Sequence, residues 1–137
     1  MHGDAVLDSS IIAAIFFPEK ITRKAGAVAE NHDCITVDLA YAEVANVAWK
    51  ITVRSPQKRN VVQSLLADSC AFIRETCRVI PAQDLVPEAY DLACSRKITL
   101  YDALFLSAAV RENALLVTAD TKLHFAAREI AETALVS

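Results

Sequence analysis

Short apolar runs alternate with longer helix-forming segments along the whole chain. The apolar runs are residues 5–7, 34–37, 78–80 and 115–118, with a further short one at 134–136. Runs of this length between turn residues are typical of strands buried on both faces, as in a parallel sheet covered by helices. The alternation predicts an α/β fold: a three-layer α/β/α sandwich with a short, mainly parallel central sheet of about four to five strands.

The segments between the apolar runs have the composition and the end signals of helices. Pro18 ends the first, and Ser55 followed by Pro56 breaks the third, because the residue before a proline disfavours the helical conformation. The predicted helices cover about residues 11–17, 19–30, 39–54, 57–76, 85–95, 99–113 and 121–131. With 137 residues, no internal repeat and no long linker, the chain is expected to form a single domain, residues 1–137.

Glycine is scarce, and this scarcity excludes several classes of enzyme. Gly3 and Gly26 are the two glycines among 137 residues. Loops that cradle phosphate groups need several glycines at fixed offsets, so the sequence contains no P-loop, no dinucleotide-binding fingerprint and no nucleophile elbow. The formal charge of −3 also argues against a strongly basic nucleic-acid-binding protein, although it leaves room for local basic patches.

The four cysteines and three histidines show no metal-binding spacing. No two cysteines form a CxxC pair, so a zinc site is not expected, and the thiols are interpreted as small buried side chains. No apolar run reaches the roughly 18–20 residues of a membrane span. The first residues also lack the basic region of a secretory signal. These features predict a cytoplasmic protein with no membrane association.

Four carboxylates are distinguished by their positions at the ends of predicted elements. Asp8 and Asp120 follow apolar runs, whereas Glu43 and Asp102 lie in the first turns of predicted helices. Each has a local structural alternative. The three aspartates are well placed to cap helices, and Glu43 begins a polar helix stripe that continues through Asn46. Taken singly, each position is explained without reference to function.

Taken together, the positions of the four carboxylates suggest one shared site. In a parallel α/β sheet, strand carboxyl ends and helix amino ends lie at one edge, where ligands bind. Four carboxylates in one crevice repel one another unless cations neutralise them. Oxygen ligands without Cys or His nearby favour Mg²⁺ or Mn²⁺. The pattern therefore predicts a divalent-metal site formed by Asp8, Glu43, Asp102 and Asp120.

Four short motifs surround these acids and carry a family resemblance. They are VLDSS at 6–10, AEVANV at 42–47, TLYDAL at 99–104 and LVTAD at 116–120. In this order and spacing the sequence resembles the PIN-domain ribonucleases, including the VapC toxins of toxin–antitoxin pairs. Each motif is weak alone, but the resemblance spans nearly the whole chain.

The resemblance implies an Mg²⁺- or Mn²⁺-dependent endoribonuclease. It assigns the four acids to the catalytic and metal-binding positions, and it gives Ser9 and Thr118 the role of supporting hydroxyls. Some members of the family have a further acid just after the fourth motif, where this chain has Thr121 and Lys122. The sequence therefore leaves the number of metal ions open. The resemblance also implies a small antitoxin protein that covers the site.

An acidic ribonuclease needs local positive charge to hold RNA, and its binding should weaken as salt rises. Tyr41 and Tyr101 flank site acids, and each either stacks on a base or packs in the core. The basic residues proposed for RNA contact are Arg96, Lys97, Lys50 and Arg54.

With 54% hydrophobic residues, the chain is also expected to bury surface in a homodimer.

Two other classes of protein share parts of the pattern. A non-catalytic PIN-like scaffold would bind RNA or protein without cleaving RNA. A receiver-like signalling module also gathers acids at strand ends, but it usually has paired acids after its first strand, where this chain has Ser9 and Ser10. A haloacid-dehalogenase phosphatase needs a second acid two residues after the first, which Ser10 replaces.

Overall fold

A five-stranded parallel sheet forms the centre of the molecule, with strand order β3-β2-β1-β4-β5. The computed structural model describes residues 3–137, so residues 1 and 2 of the expected domain lie outside it. All four strand pairings are parallel, which confirms the predicted α/β fold. The strands are β1 (Asp4–Leu7), β2 (Asp33–Val37), β3 (Arg78–Ile80), β4 (Leu115–Thr118) and β5 (Thr133–Leu135).

Within residues 3–137, seven α-helices flank the sheet, close to where the sequence predicts them. The last helix ends at Ala127 rather than near 131, because residues 128–130 form turns in which the N–H of Ile130 bonds the carbonyl of Ala127, three residues earlier. The helices are α1 (Ser9–Phe16), α2 (Thr22–Glu30), α3 (Leu39–Arg54), α4 (Arg59–Glu75), α5 (Val86–Arg96), α6 (Leu100–Glu112) and α7 (Thr121–Ala127).

The strand order reverses at β1, which fixes where the functional crevice lies. The chain runs from β1 through β2 to β3 on one side, and returns with β4 and β5 on the other. Leu7 of β1 is in register with Val117 of β4. Asp8 and Thr118, the next residues on the two strands, therefore lie side by side at the carboxyl end of the sheet, where ligands of open α/β sheets bind.

The core lies on both faces of the sheet and around α6. The side chains of Ala5, Val6 and Leu7 in the central strand are completely buried. In α6, all seven residues from 103 to 109 are buried, so this helix is covered on every side. Phe105 is the largest of them, and burying an aromatic side chain of this kind stabilises a fold by about 1.5–3 kcal/mol. The helix that carries Asp102 is thus a fixed part of the core.

The cysteines depart from the expectation that all four are buried. Cys34 and Cys77 are buried, but Cys70 is half-buried and Cys94 is exposed, so the expectation is wrong for the last two. All four are free thiols. None of the helices found between residues 3 and 137 is both long and apolar enough to span a membrane.

Candidate active site

Asp8 lies at the end of β1 and is held by three hydrogen bonds. Its carboxylate is buried, and it caps α1 because Oδ1 accepts the N–H of Ile11 at 3.1 Å. The same oxygen accepts the hydroxyl of Ser10 at 2.5 Å. The other oxygen, Oδ2, accepts the hydroxyl of Thr118 at 2.5 Å. The capping role suggested by the sequence is therefore confirmed, together with a contact to Thr118.

The two hydroxyls that hold Asp8 also fix the loop after β4. The oxygen of Ser10 accepts the N–H of Ala119, and the oxygen of Thr118 accepts the N–H of Asp120, both at 3.0 Å. Each hydroxyl thus joins the end of β1 to the segment that carries the fourth acid. The sequence interpretation missed Ser10, although a second hydroxyl two residues after Asp8 was the signal.

Glu43 is positioned by the neighbouring serine. The hydroxyl of Ser9 donates a hydrogen bond of 2.8 Å to Oε1 of Glu43. Glu43 lies in the second turn of α3 and is half-buried, whereas Asn46 of the same polar stripe is exposed. Ser9 and Ser10 are adjacent in sequence but hold different acids, because consecutive residues at the start of a helix point in different directions.

Asp102 and Asp120 lie in the first turn and at the amino-terminal cap of their helices. Thr99 caps α6 by accepting the N–H of Asp102 at 3.1 Å. Asp120 caps α7, since its Oδ1 accepts the N–H groups of Lys122 and Leu123 at 2.8 and 3.2 Å. The capping role suggested for Asp120 is confirmed, and in α6 the cap itself is Thr99.

Burial is the main cause of the raised pKa values of three of the acids, and the charges of neighbouring acids add to it. Burial raises the pKa of Asp8 to about 6, and the charge of Asp102 adds to this effect. Burial and the charge of Asp102 likewise raise the pKa of Glu43. The pKa of Asp102 itself is raised by burial and by the charge of Asp120, against a hydrogen bond from Thr99. Asp102 therefore interacts with each of the other three acids.

The donor set suits a hard cation that keeps part of its water shell. Within the part of the chain that the structure describes, no three His, Cys, Asp or Glu side chains stand close enough to enclose a metal ion. The four carboxylates are oxygen donors, and hydroxyls hydrogen-bond to two of them, Asp8 and Glu43. Mg²⁺ is usually held by one or two carboxylates plus several waters, so this arrangement fits it better than an all-protein cage.

The basic residues proposed for RNA contact lie at different distances from the acids. Arg96 ends α5 and forms an ion pair with Glu129 at 2.7 Å, while Lys97 follows it in the left-handed conformation. On α3, the rise of 1.5 Å per residue separates Lys50 from Glu43 by about 10 Å and Arg54 by about 17 Å. Lys50 and Arg54 are both exposed.

The two tyrosines that flank site acids differ in exposure. Tyr41 on α3 is half-buried and packs against the core. Tyr101 is 59% exposed, immediately before Asp102. Core packing therefore accounts for Tyr41 but not for Tyr101.

The protein is a parallel α/β/α sandwich, and Asp8 lies at the end of β1, the strand at which the strand order reverses. A family model described as PIN domain matches residues 5–129, and the chain belongs to this family. It is 31% identical to Ribonuclease VapC3 of Pyrobaculum aerophilum over 119 residues, which are 86% of this chain and 90% of that protein. This identity and coverage make Ribonuclease VapC3 a relative of the chain within the PIN-domain family.

Two crystal structures have the same fold. PAE2754 from Pyrobaculum aerophilum aligns with a TM-score of 0.74 at 18% identity, over 96% of this chain and 83% of that one. VapBC2 from Rickettsia felis, bound to a DNA fragment from its promoter, aligns with a TM-score of 0.62 at 19% identity. That match covers 98% of this chain and 99% of the other. At these identities the alignments establish the fold alone.

Proposed function

We propose that the protein is an Mg²⁺- or Mn²⁺-dependent endoribonuclease that hydrolyses phosphodiester bonds of RNA. One observation carries the proposal: three acids from separate elements interact electrostatically with Asp102 at the carboxyl edge of β1 and β4. The likeness to Ribonuclease VapC3 supports it. A crevice with this much negative charge is suited to a divalent cation and not to an RNA phosphate alone.

The residues have separate roles in the proposed reaction. Asp8, Asp102 and Asp120 would hold the metal ion directly or through water, and Glu43 would bind the metal or orient the attacking water. The bound cation would supply a water of lowered pKa and positive charge for the phosphate oxygens. Ser9 keeps Glu43 in position through its hydrogen bond, and Ser10 and Thr118 do the same for Asp8.

Cleavage of a mixed RNA pool tests the proposal. Wild type and Asp102→Asn are compared with Mg²⁺, with Mn²⁺ and with EDTA. Asp68→Asn, which changes an exposed acid on α4, serves as the matched control. We expect wild type and the control to cleave RNA with metal only, and Asp102→Asn to be inactive while still folded. A folded wild type that binds RNA but never cleaves it would support the non-catalytic scaffold instead.

A second protein partner belongs to the same proposal. The likeness to Ribonuclease VapC3 and to the VapBC2 fold supports a small antitoxin that binds this chain and covers the acids. Exposed apolar side chains are available for such contacts, or for a homodimer, on α3 and α4: Trp49, Val53 and Val61.

We expect expression of wild type, but not of Asp102→Asn, to slow cell growth. Analytical ultracentrifugation of the purified chain tests the homodimer.

A further inference from the structure

The exposed face of α7 carries a cation, an aromatic ring and a second cation in a row. Lys122 and Phe125 of α7 and Arg128, the cap at the carboxyl end of this helix, follow one another at intervals of three residues, and all three are exposed. The guanidinium carbon of Arg128 lies 4.6 Å from the centre of the Phe125 ring. The ring itself is 50% exposed, which is unusual for a phenylalanine in a helix of a packed domain. We call these three residues the α7 face.

The α7 face begins at the candidate active site. Asp120 accepts the N–H of Lys122 at 2.8 Å, so the first turn of the helix is anchored on a site acid. The positive charge of Lys122 also lowers the pKa of Asp102. With a rise of 1.5 Å per residue, Phe125 lies about 7–8 Å along the helix from Asp120. A chain bound at the acids therefore reaches the ring without leaving the surface.

Positive charge from a second element borders the far end of the α7 face. Arg96 at the end of α5 forms an ion pair of 2.7 Å with Glu129, the residue that follows Arg128. This pairing offsets the negative charge of Glu129 next to Arg128. Lys97 then follows Arg96 in the left-handed conformation, which turns the chain back toward the start of α6 and Asp102.

We infer that the α7 face is a binding site for single-stranded RNA, in which an unpaired base stacks on Phe125 and Arg128 while Lys122 contacts the phosphate nearest the acids. The inference rests on the proposed function and adds a base-binding site to it. Single-stranded nucleic acids are bound by aromatic rings set among positive charges, because every unpaired base has a flat face to stack. A duplex hides these faces within its own stack, so the α7 face favours single strands.

Charge argues for RNA over another protein chain as the occupant. Lys122 and Arg128 are both positive, and the phosphates on either side of a stacked base are negative. Arg128 lies over one face of the Phe125 ring, so a base that stacks on the planar guanidinium forms one column with the guanidinium and the ring.

Binding in EDTA, where cleavage is stopped, tests the inference apart from the proposed function. A fluorescent single-stranded oligoribonucleotide is titrated with wild type, Phe125→Ala, Phe125→Tyr and Arg128→Gln. We expect Phe125→Ala to weaken binding about tenfold, within the range for loss of one base–aromatic stack, and Phe125→Tyr to retain it. Arg128→Gln should weaken binding and make the salt dependence shallower by about 0.7 in log–log slope, if the guanidinium also neutralises a phosphate.

Two matched controls separate this site from general surface effects. Tyr90→Ala removes an exposed aromatic ring on α5, and Arg74→Gln removes an exposed cation on α4. Both should change the affinity by less than about twofold. The inference is overturned if Phe125→Ala binds like wild type, if Tyr90→Ala is equally damaging, or if wild type binds no single-stranded RNA.

The outcomes also distinguish this inference from the proposed function. Cleavage that is lost in Asp102→Asn, with normal RNA binding by Phe125→Ala, would keep the ribonuclease and reject the α7 face. If RNA binding depends on Phe125 but the protein never cleaves RNA, the α7 face would be kept and the ribonuclease would be rejected. A change of oligomeric state in Phe125→Ala, seen by ultracentrifugation, would make the α7 face a contact between protein chains and would reject the inference.

Discussion

The hydroxyl of Thr118 donates a hydrogen bond of 2.5 Å to Oδ2 of Asp8, a residue 110 positions earlier in the chain. The contact exists because β1 and β4 are paired in a register that sets Leu7 beside Val117. Burial of Asp8 and its position between two hydroxyls make it the most constrained acid of the site.

Asp8→Asn should stabilise the metal-free protein and abolish cleavage. Burial raises the pKa of Asp8 to about 6 from an ordinary value of 3.8. Between these values the folded state holds a proton that the unfolded chain has released, so the free energy of unfolding falls as the pH rises through this window. Above it, the buried charge costs up to about 3 kcal/mol. Asparagine carries no charge and still caps α1.

Urea denaturation in EDTA at about pH 5 and about pH 7.5 measures this effect. The free energy of unfolding of wild type should be lower at the higher pH. Asp8→Asn should lack the part of this decrease that comes from ionisation of the Asp8 carboxyl. Asp68→Asn changes an exposed acid on α4 and should keep the pH dependence of wild type. An identical pH dependence in Asp8→Asn and wild type would contradict the prediction.

Ser10→Ala should destabilise the protein more than Ser9→Ala does. Ser10 donates to Asp8 and accepts from the N–H of Ala119, so its loss breaks one local contact at the end of β1 and one contact to the segment after β4. Leaving buried partners unpaired costs about 1–3 kcal/mol. Ser9 donates its hydroxyl to Glu43, which is only half-buried, so the loss of Ser9 should affect cleavage more than stability.

Ser10→Thr keeps the hydroxyl and should restore both stability and cleavage. Thermal unfolding and RNA cleavage are measured on the three serine variants side by side. Equal stability of Ser9→Ala and Ser10→Ala would show that the contacts of Ser10 contribute nothing to the fold.

Asp120→Ser and Asp120→Ala should separate the two roles of Asp120. Serine is a good amino-terminal cap, so it keeps the contacts to the N–H groups at the start of α7, whereas alanine loses them at a cost of about 0.5–2 kcal/mol. Both variants lack the carboxylate, so both should lose cleavage. Unfolding experiments should rank wild type and the serine variant above the alanine variant. Full activity of Asp120→Ser would remove Asp120 from the proposed metal site.

Mg²⁺ should raise the melting temperature of wild type but not that of Asp102→Asn. A ligand that binds only the folded state at about 100 times its Kd adds roughly 2.7 kcal/mol of stability. Asp102 interacts with all three other acids, so neutralising it removes much of the charge that attracts the ion. Scanning calorimetry with and without Mg²⁺ measures the shift, and Asp68→Asn should respond as wild type does. A similar shift in Asp102→Asn would place the ion elsewhere.

Much of the fold follows from local sequence patterns. Apolar runs flanked by turn residues give the bounds of β3 and β4, and Pro18 and Pro56 mark breaks between helices. A parallel topology then brings strand ends and helix starts to one edge, so the neighbourhood of the four acids is also predictable. The sequence predicts α7 too long, because its end depends on turns that close on the carbonyl of Ala127.

The finer structure of the site depends on packing that no local pattern contains. Ser9 and Ser10 are the same residue type next to each other, and their assignment to Glu43 and Asp8 follows from the direction of each side chain at the start of α1. The exposure of Tyr101 likewise depends on how α6 lies against its neighbours. These features need the placement of whole helices relative to the sheet, not the identity of single residues.

The two helices that carry Asp102 and Asp120 differ in how deeply they are buried. All residues from 103 to 109 in α6 are buried, whereas in α7 the buried ones are Leu123 and Ala127. Amide hydrogens in α6 should therefore exchange with solvent only when the whole domain unfolds, while those of α7 exchange through local opening. Local opening of α7 therefore displaces Asp120 while Asp102 stays fixed in the core, so the two acids of one site differ in mobility.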